Sequence, residues 1–124
     1  MPNLLIAEDD PDIRELITFR LTAAGHAVTA VEDGPSALDA AGQATPDLVL
    51  LDVMMPGLSG VDVCRALRGR PETADLPVIL LTARSQEADV QAGFRAGADD
   101  YMTKPFSPRE LVSRIDALLA RRVR

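Results

Sequence analysis

A chain of 124 residues, 47% of them hydrophobic, has the length of one domain and enough apolar side chains for a real core. Its formal net charge of −6 offers no basic face to nucleic-acid phosphates, and no apolar run approaches the ~20 residues of a membrane span. Trp is absent and Tyr occurs once, so the core is aliphatic; the one cysteine, Cys64, forms no internal disulfide and, with no signal core in view, fits a reducing cytoplasm.

Short apolar runs then alternate with helical patterns. Residues 4–7 read as a first strand, closed by Glu8, Asp9 and Asp10. Asp10 suits a helix N-cap and Pro11 the first helical position; Ile13, Leu16, Ile17 and Leu21 recur at helical spacing on one inward face until Gly25 stops the helix. His26 follows that glycine in a turn and is expected at the surface. With no second histidine to share a site, it is a poor candidate metal ligand. Residues 27–31 form a smaller, more polar strand, expected at a sheet edge. Asp33, Gly34, Pro35 and Ser36 start a second helix, expected to end at Gly42.

The third strand, 47–52, runs through Leu48, Val49, Leu50 and Leu51 and stops on Asp52. An unbroken apolar run of this kind is a strand buried on both faces. Pro56, Gly57 and Gly60 write a turn. A third helix covers residues 60–67 with Val61, Cys64 and Leu67 inward, which makes Cys64 a small core residue. A fourth strand at 77–82, a weaker helix at 86–96 and a short strand at 98–102 follow. Ser107, Pro108 and Glu110 form a capping box for the last helix, whose apolar face is Leu111, Val112, Ile115, Leu118 and Leu119. Five strand–helix pairs predict an α/β sandwich with right-handed crossovers, and residues 1–124 read as one domain without repeat or internal linker.

In a parallel sheet the carboxyl ends of the strands share one edge, where ligands bind. Here those ends carry Glu8 and Asp9, Asp52, Thr82, and Lys104 before Pro105. Each has an ordinary explanation alone: Asp52 or Thr82 as a helix cap, Lys104 as a solvated surface side chain. Together they are three carboxylates, a hydroxyl and an ammonium. Carboxylates held side by side need a cation, and an all-oxygen set with water and a substrate phosphate describes Mg²⁺. Of the 13 Lys and Arg residues, Lys104 is the only lysine. Keeping Lys in so Arg-rich a chain points to a compact charge that reaches a phosphoryl oxygen.

These residues also carry a family resemblance. Leu5-Ile6-Ala7-Glu8-Asp9-Asp10, Leu51-Asp52-Val53-Met54-Met55-Pro56-Gly57, Leu81-Thr82-Ala83, and Gly97-Ala98-Asp99-Asp100-Tyr101 leading to Lys104-Pro105-Phe106 stand in the order and spacing of a response-regulator receiver domain. The chain resembles that family over essentially its whole length. The resemblance implies a flavodoxin-like five-stranded parallel sheet, strand order 2-1-3-4-5, with five flanking helices. It implies Asp52 as phosphoacceptor, and Glu8, Asp9, Asp52 and the Met54 carbonyl as Mg²⁺ ligands, Glu8 standing in for the commoner Asp. Thr82 and Lys104 would hold the phosphoryl group, and Tyr101 would be an aromatic switch coupled to Thr82. A cis peptide between Lys104 and Pro105 is implied as well.

The implied partner is a sensor histidine kinase or a phosphotransfer protein, whose phosphohistidine Asp52 would attack. The surface of the fourth helix, fifth strand and fifth helix would then change. Met54 and Arg84, two positions after Asp52 and Thr82, flank the path of a hydrolytic water. Met54 cannot orient it and Arg84 offers no base, so a long-lived acyl phosphate is expected.

Within the family the chain is most similar to winged-helix transcription factors of the phosphate-regulon type, on its last helix from Phe106 to Ile115, on Glu8-Asp9 and on Ile13-Arg14-Glu15. That branch implies a homodimer on phosphorylation, with cross-subunit ion pairs at Asp100, Glu110, Arg114 and Arg121. Val90 and Ala92 stand where its fourth helix is usually basic, which removes the expected partner of Glu110. The ending Ala120-Arg121-Arg122-Val123-Arg124 reads as the start of a linker to an output domain; the alternative is a stand-alone receiver acting by protein–protein contact. A haloacid-dehalogenase-type phosphatase also uses a strand-end Asp, but it needs a second Asp where Met54 stands. A degenerate scaffold receiver would lack an acid, Thr82 or Lys104, and none is missing.

Overall fold

The computed structural model describes residues 1–83 and 87–122, with side chains for all of these except 87–90 and 122. Its strands are β1 (Asn3–Ala7), β2 (Ala27–Val31), β3 (Leu48–Asp52), β4 (Val78–Ala83) and β5 (Asp100–Lys104). Its helices are α1 (Pro11–Ala23), α2 (Gly34–Gln43), α3 (Gly60–Arg68), α4 (Glu87–Arg95) and α5 (Pro108–Arg122). The strands pair in parallel in the order β2-β1-β3-β4-β5, the flavodoxin-like order expected, with the polar β2 at one edge.

A sheet covered on both faces needs apolar residues at successive positions, and β3 buries every residue from Leu48 to Asp52. Alternation sends Leu5, Ala7, Val49, Leu51, Val78 and Leu80 to one face, under Ala37 and Ala41 of α2 and Cys64 and Leu67 of α3. Leu4, Ile6, Leu48, Leu50, Ile79, Leu81 and Met102 line the other face, under Ile17 and Leu21 of α1 and Leu111, Ile115 and Leu118 of α5. The helices begin on side-chain caps. Asp10 accepts from the Asp12 and Ile13 amides, Asp33 from Ser36 and Ser59 from Asp62. At the other end of α1, Gly25 takes the left-handed conformation, φ 96°, that closes a helix.

Local expectations differ in instructive places. β5 lies two residues later than the apolar pattern suggests, because Asp99 serves the preceding turn: its carboxylate accepts from the Val78 amide at 2.9 Å and pairs with Arg68 at 3.0 Å. Gly42 does not end α2, which continues to Gln43. Leu16 is exposed rather than inward, since α1 buries only the narrower stripe of Ile17 and Leu21. His26 is buried rather than at the surface, with Nε2 3.1 Å from Asp116 Oδ1 on α5. The capping box is half formed: Ser107 Oγ accepts from the Glu110 amide at 3.3 Å, but the Glu110 carboxylate turns to Arg114, one turn on, at 3.0 Å. No helix among the described residues is long and apolar enough to cross a membrane.

α3 starts hard against the end of β3. The Gly60 amide donates to the Val53 carbonyl at 3.0 Å, and a β-carbon at position 60 would collide with the Asp52 carbonyl oxygen. That oxygen is backbone and cannot rotate away. Gly60→Ala is expected to destabilise the fold by about 1–3 kcal/mol, seen as a lower urea midpoint at unchanged slope.

Candidate functional site

Four adjacent strands end on one edge of the sheet, and the residues that follow or close β1, β3 and β5 meet there. Glu8 follows β1 and is fully buried, 0% exposed; Asp52 closes β3 and is 3% exposed. Thr82 is buried near the end of β4, its hydroxyl donating to the Ala83 carbonyl at 3.3 Å. Lys104 ends β5, and its peptide to Pro105 is cis, as the resemblance implied. Its Nζ lies 2.7 Å from Glu8 Oε1 and 3.2 Å from Asp52 Oδ2. Asp9 is exposed, yet Glu8, Asp9 and Asp52 each place a carboxylate oxygen within 4.8 Å of the others. Asp52 does not cap α3: Ser59 does, while Asp52 Oδ1 accepts from the Met54 amide at 3.3 Å.

The electrostatics follow from burial. Two carboxylates out of water share one ammonium. Desolvation first, and the neighbouring Glu8 second, outweigh Lys104 and push Asp52 from the usual carboxylate range up to about 7. Burial also opposes the charge on Lys104, but contact with Glu8 and the field of Asp52 overcome it and hold its pKa above the ordinary lysine value. The ammonium lies close to Glu8 Oε1 but off the hydrogen-bonding direction, so this buried oxygen accepts no well-formed hydrogen bond. Oxygen donors in anionic excess, one of them unsatisfied, are what a hard divalent cation requires.

The remaining expected residues lie farther from this edge or on its rim. The Met54 side chain points to solvent. Tyr101 sits on β5 opposite Leu80, on the sheet face that Thr82 shares two residues farther along β4. Its ring is 38% exposed and meets Phe94 of α4 edge to face, with centroids 5.4 Å apart at 83°. Asp100, Glu110 and Arg114 form one ion-pair cluster within the chain: Arg114 Nη1 reaches both Asp100 oxygens at 2.8 Å, and Nη2 reaches Glu110 at 3.0 Å. Arg121 is exposed on the same helix, and Ala92 packs against the core. Arg84 and the side chain of Val90 lie outside the described residues.

Residues 4–116 match the response regulator receiver domain family. The chain belongs to that family. The receiver domain is 48% identical over 121 residues to the sensory transduction protein RegX3 of Mycobacterium tuberculosis, covering 98% of this chain and 52% of that protein. It is 45% identical over 118 residues to the DNA-binding response regulator MtrA of Mycolicibacterium smegmatis, covering 95% of this chain and 50% of that one. The chain thus spans about half the length of the curated relatives it matches. Among solved structures, the signal receiver domain of a signal transduction histidine kinase from Syntrophus aciditrophicus superposes with a TM-score of 0.91 at 37% identity, over 97% of this chain and 91% of that chain.

Two residues that contact the expected site residues were not singled out from the sequence. Arg14, noted only as part of Ile13-Arg14-Glu15, reaches back from α1 to the Glu8 carbonyl at 2.8 Å and the Asp9 carbonyl at 3.5 Å, fixing the loop that presents both acids. An arginine one turn into the helix after an acidic loop was the available signal. Phe94 had none, because its partner lies on the next strand.

Asp52 stays neutral in the folded chain up to about pH 7 but ionises above about pH 4 once unfolded. The folded state therefore binds more protons across that window, and stability falls as pH rises through it. In chelator, the wild type is expected to lose thermal stability between about pH 5 and pH 8. Asp52→Asn should keep its stability and melt several degrees higher at the upper end, the gap closing at the lower. Thermal scans across pH measure this.

Proposed function

We propose that the chain is the phosphoacceptor switch of a two-component system, taking a phosphoryl group from a sensor histidine kinase or phosphotransfer protein onto Asp52. The observation that carries this is a buried carboxylate, Asp52, 3.2 Å from the chain's only lysine and beside two further acids. Glu8, Asp9, Asp52 and the Met54 carbonyl would hold Mg²⁺, as the all-oxygen donors and the unsatisfied Glu8 Oε1 support. When bound, Mg²⁺ supplies positive charge to the transferring group.

The chain's own residues supply the rest. An Asp52 oxygen forms the bond to phosphorus as the phosphorus–nitrogen bond of the phosphohistidine breaks, the imidazole keeping the electron pair. Lys104, already between Glu8 and Asp52, exchanges carboxylate for phosphoryl oxygens. The Thr82 hydroxyl turns toward the same oxygens, and Tyr101, on its face of the sheet, follows into the space it leaves. The output surface is then α4, β5 and α5. The relative named a DNA-binding response regulator supports transcription as the output, and the cytoplasm as its place. A homodimer through Asp100, Glu110 and Arg114 would exchange their internal pairs for cross-subunit ones.

With acetyl phosphate and Mg²⁺, the wild type is expected to take up one phosphoryl group, and Asp52→Asn or added chelator to abolish it. Full labelling of that variant overturns the assignment. Met54 and Arg84 set the lifetime in this proposal. Met54→Asn combined with Arg84→Glu should release phosphate faster than wild type after the donor is removed, and an unchanged decay would reject their shielding role.

A further inference from the structure

Gly93 lets α4 lie against the sheet: a β-carbon there would run into Leu80 Cδ1. Leu80 is the β4 residue directly opposite Tyr101. The close approach at Gly93 therefore places the next residue, Phe94, beside the Tyr101 ring, and the two meet edge to face at 5.4 Å. This end of α4 is firmly held. Arg68 Nε and Nη2 donate to the Gly97 carbonyl at 3.0 and 2.7 Å, and Nη1 to the Leu76 carbonyl at 2.6 Å. These bonds tie down the turn that follows α4, three residues beyond Phe94, whose side chain is 45% exposed and meets Tyr101.

We infer that Phe94 is a positioning residue that latches Tyr101 in its outward place and so sets how readily the domain switches. The inference rests on the phosphoacceptor role proposed above. The edge-to-face contact exists only while the tyrosine ring lies outside, so it stabilises that arrangement alone. A contact made in one of two states shifts their balance by its full strength. For an aromatic pair the shift is roughly two- to twelve-fold. Removing the Phe94 ring tips the unphosphorylated domain toward the inward arrangement, which accepts a phosphoryl group more readily.

The chain provides its own probe, since Tyr101 is its only tyrosine and Trp is absent. Tyrosine fluorescence with acrylamide as quencher reads the exposure of this one ring. Without phosphoryl donor, Phe94→Ala is expected to quench less than wild type, although a neighbour covering the ring has been removed. With acetyl phosphate and Mg²⁺, the variant should label roughly two- to twelve-fold faster. Phe94→Leu, which keeps apolar bulk but no ring, should change both readouts in the same direction by less, and it decides alone if Phe94→Ala does not fold. A Phe that merely supports the fold would lower thermal stability without accelerating labelling. Quenching that rises or stays level, with labelling no faster, overturns the latch. Failure of the phosphoacceptor role would show separately, as no label on wild type, while quenching still tests the latch.

Discussion

Two carboxylates, Glu8 and Asp52, are buried at the edge of the sheet with one ammonium between them. Desolvation alone would disfavour charge on either acid, and their proximity adds repulsion. Lys104 offsets this only in part, as the raised pKa of Asp52 shows. With Asp9 beside them, the edge sets three carboxyl groups against one ammonium held in place. Such a site favours added positive charge, and the ionisation of Asp52 responds to the charge beside it. Much of the surrounding architecture exists to keep these groups close despite their repulsion.

Parallel pairing is what makes the juxtaposition possible, because it brings the ends of β1, β3, β4 and β5 to one side. The apolar layers on both faces hold those strands in register, and three local devices refine the edge. Arg14 ties down the carbonyls of Glu8 and Asp9; Ser59 takes over the capping of α3, leaving Asp52 for other work; and Gly60 lets α3 begin directly against the Asp52 backbone. Thr82 and Tyr101 share one sheet face, and Tyr101 in turn meets Phe94 on α4.

Much of this was legible in the sequence because parallel strands advertise themselves. The run Leu48 to Leu51 permits little but a strand covered on both faces, and the residues that end such runs must share an edge. Glu8, Asp9, Asp52, Thr82 and Lys104 could thus be brought together from order alone. Long-range partners could not. His26 looked like a turn residue because its partner, Asp116, lies on α5, and nothing local marks Phe94, because Tyr101 belongs to another element. Leu16 obeyed helical spacing, but spacing does not reveal how wide a groove the rest of the fold leaves. The start of β5 was misjudged for a related reason: Ala98 looks apolar enough for a strand, while its neighbour Asp99 is committed to Arg68 and the start of β4.

The four strand ends that build the edge come from positions as far apart as Glu8 and Lys104. A nascent chain that has formed β1 to β4 still lacks the ammonium that pairs with Glu8 and Asp52. Only docking of β5 completes the set. The chemistry is thereby closed to a chain that has not yet docked β5, and a complete edge doubles as a sign that these four strands have assembled.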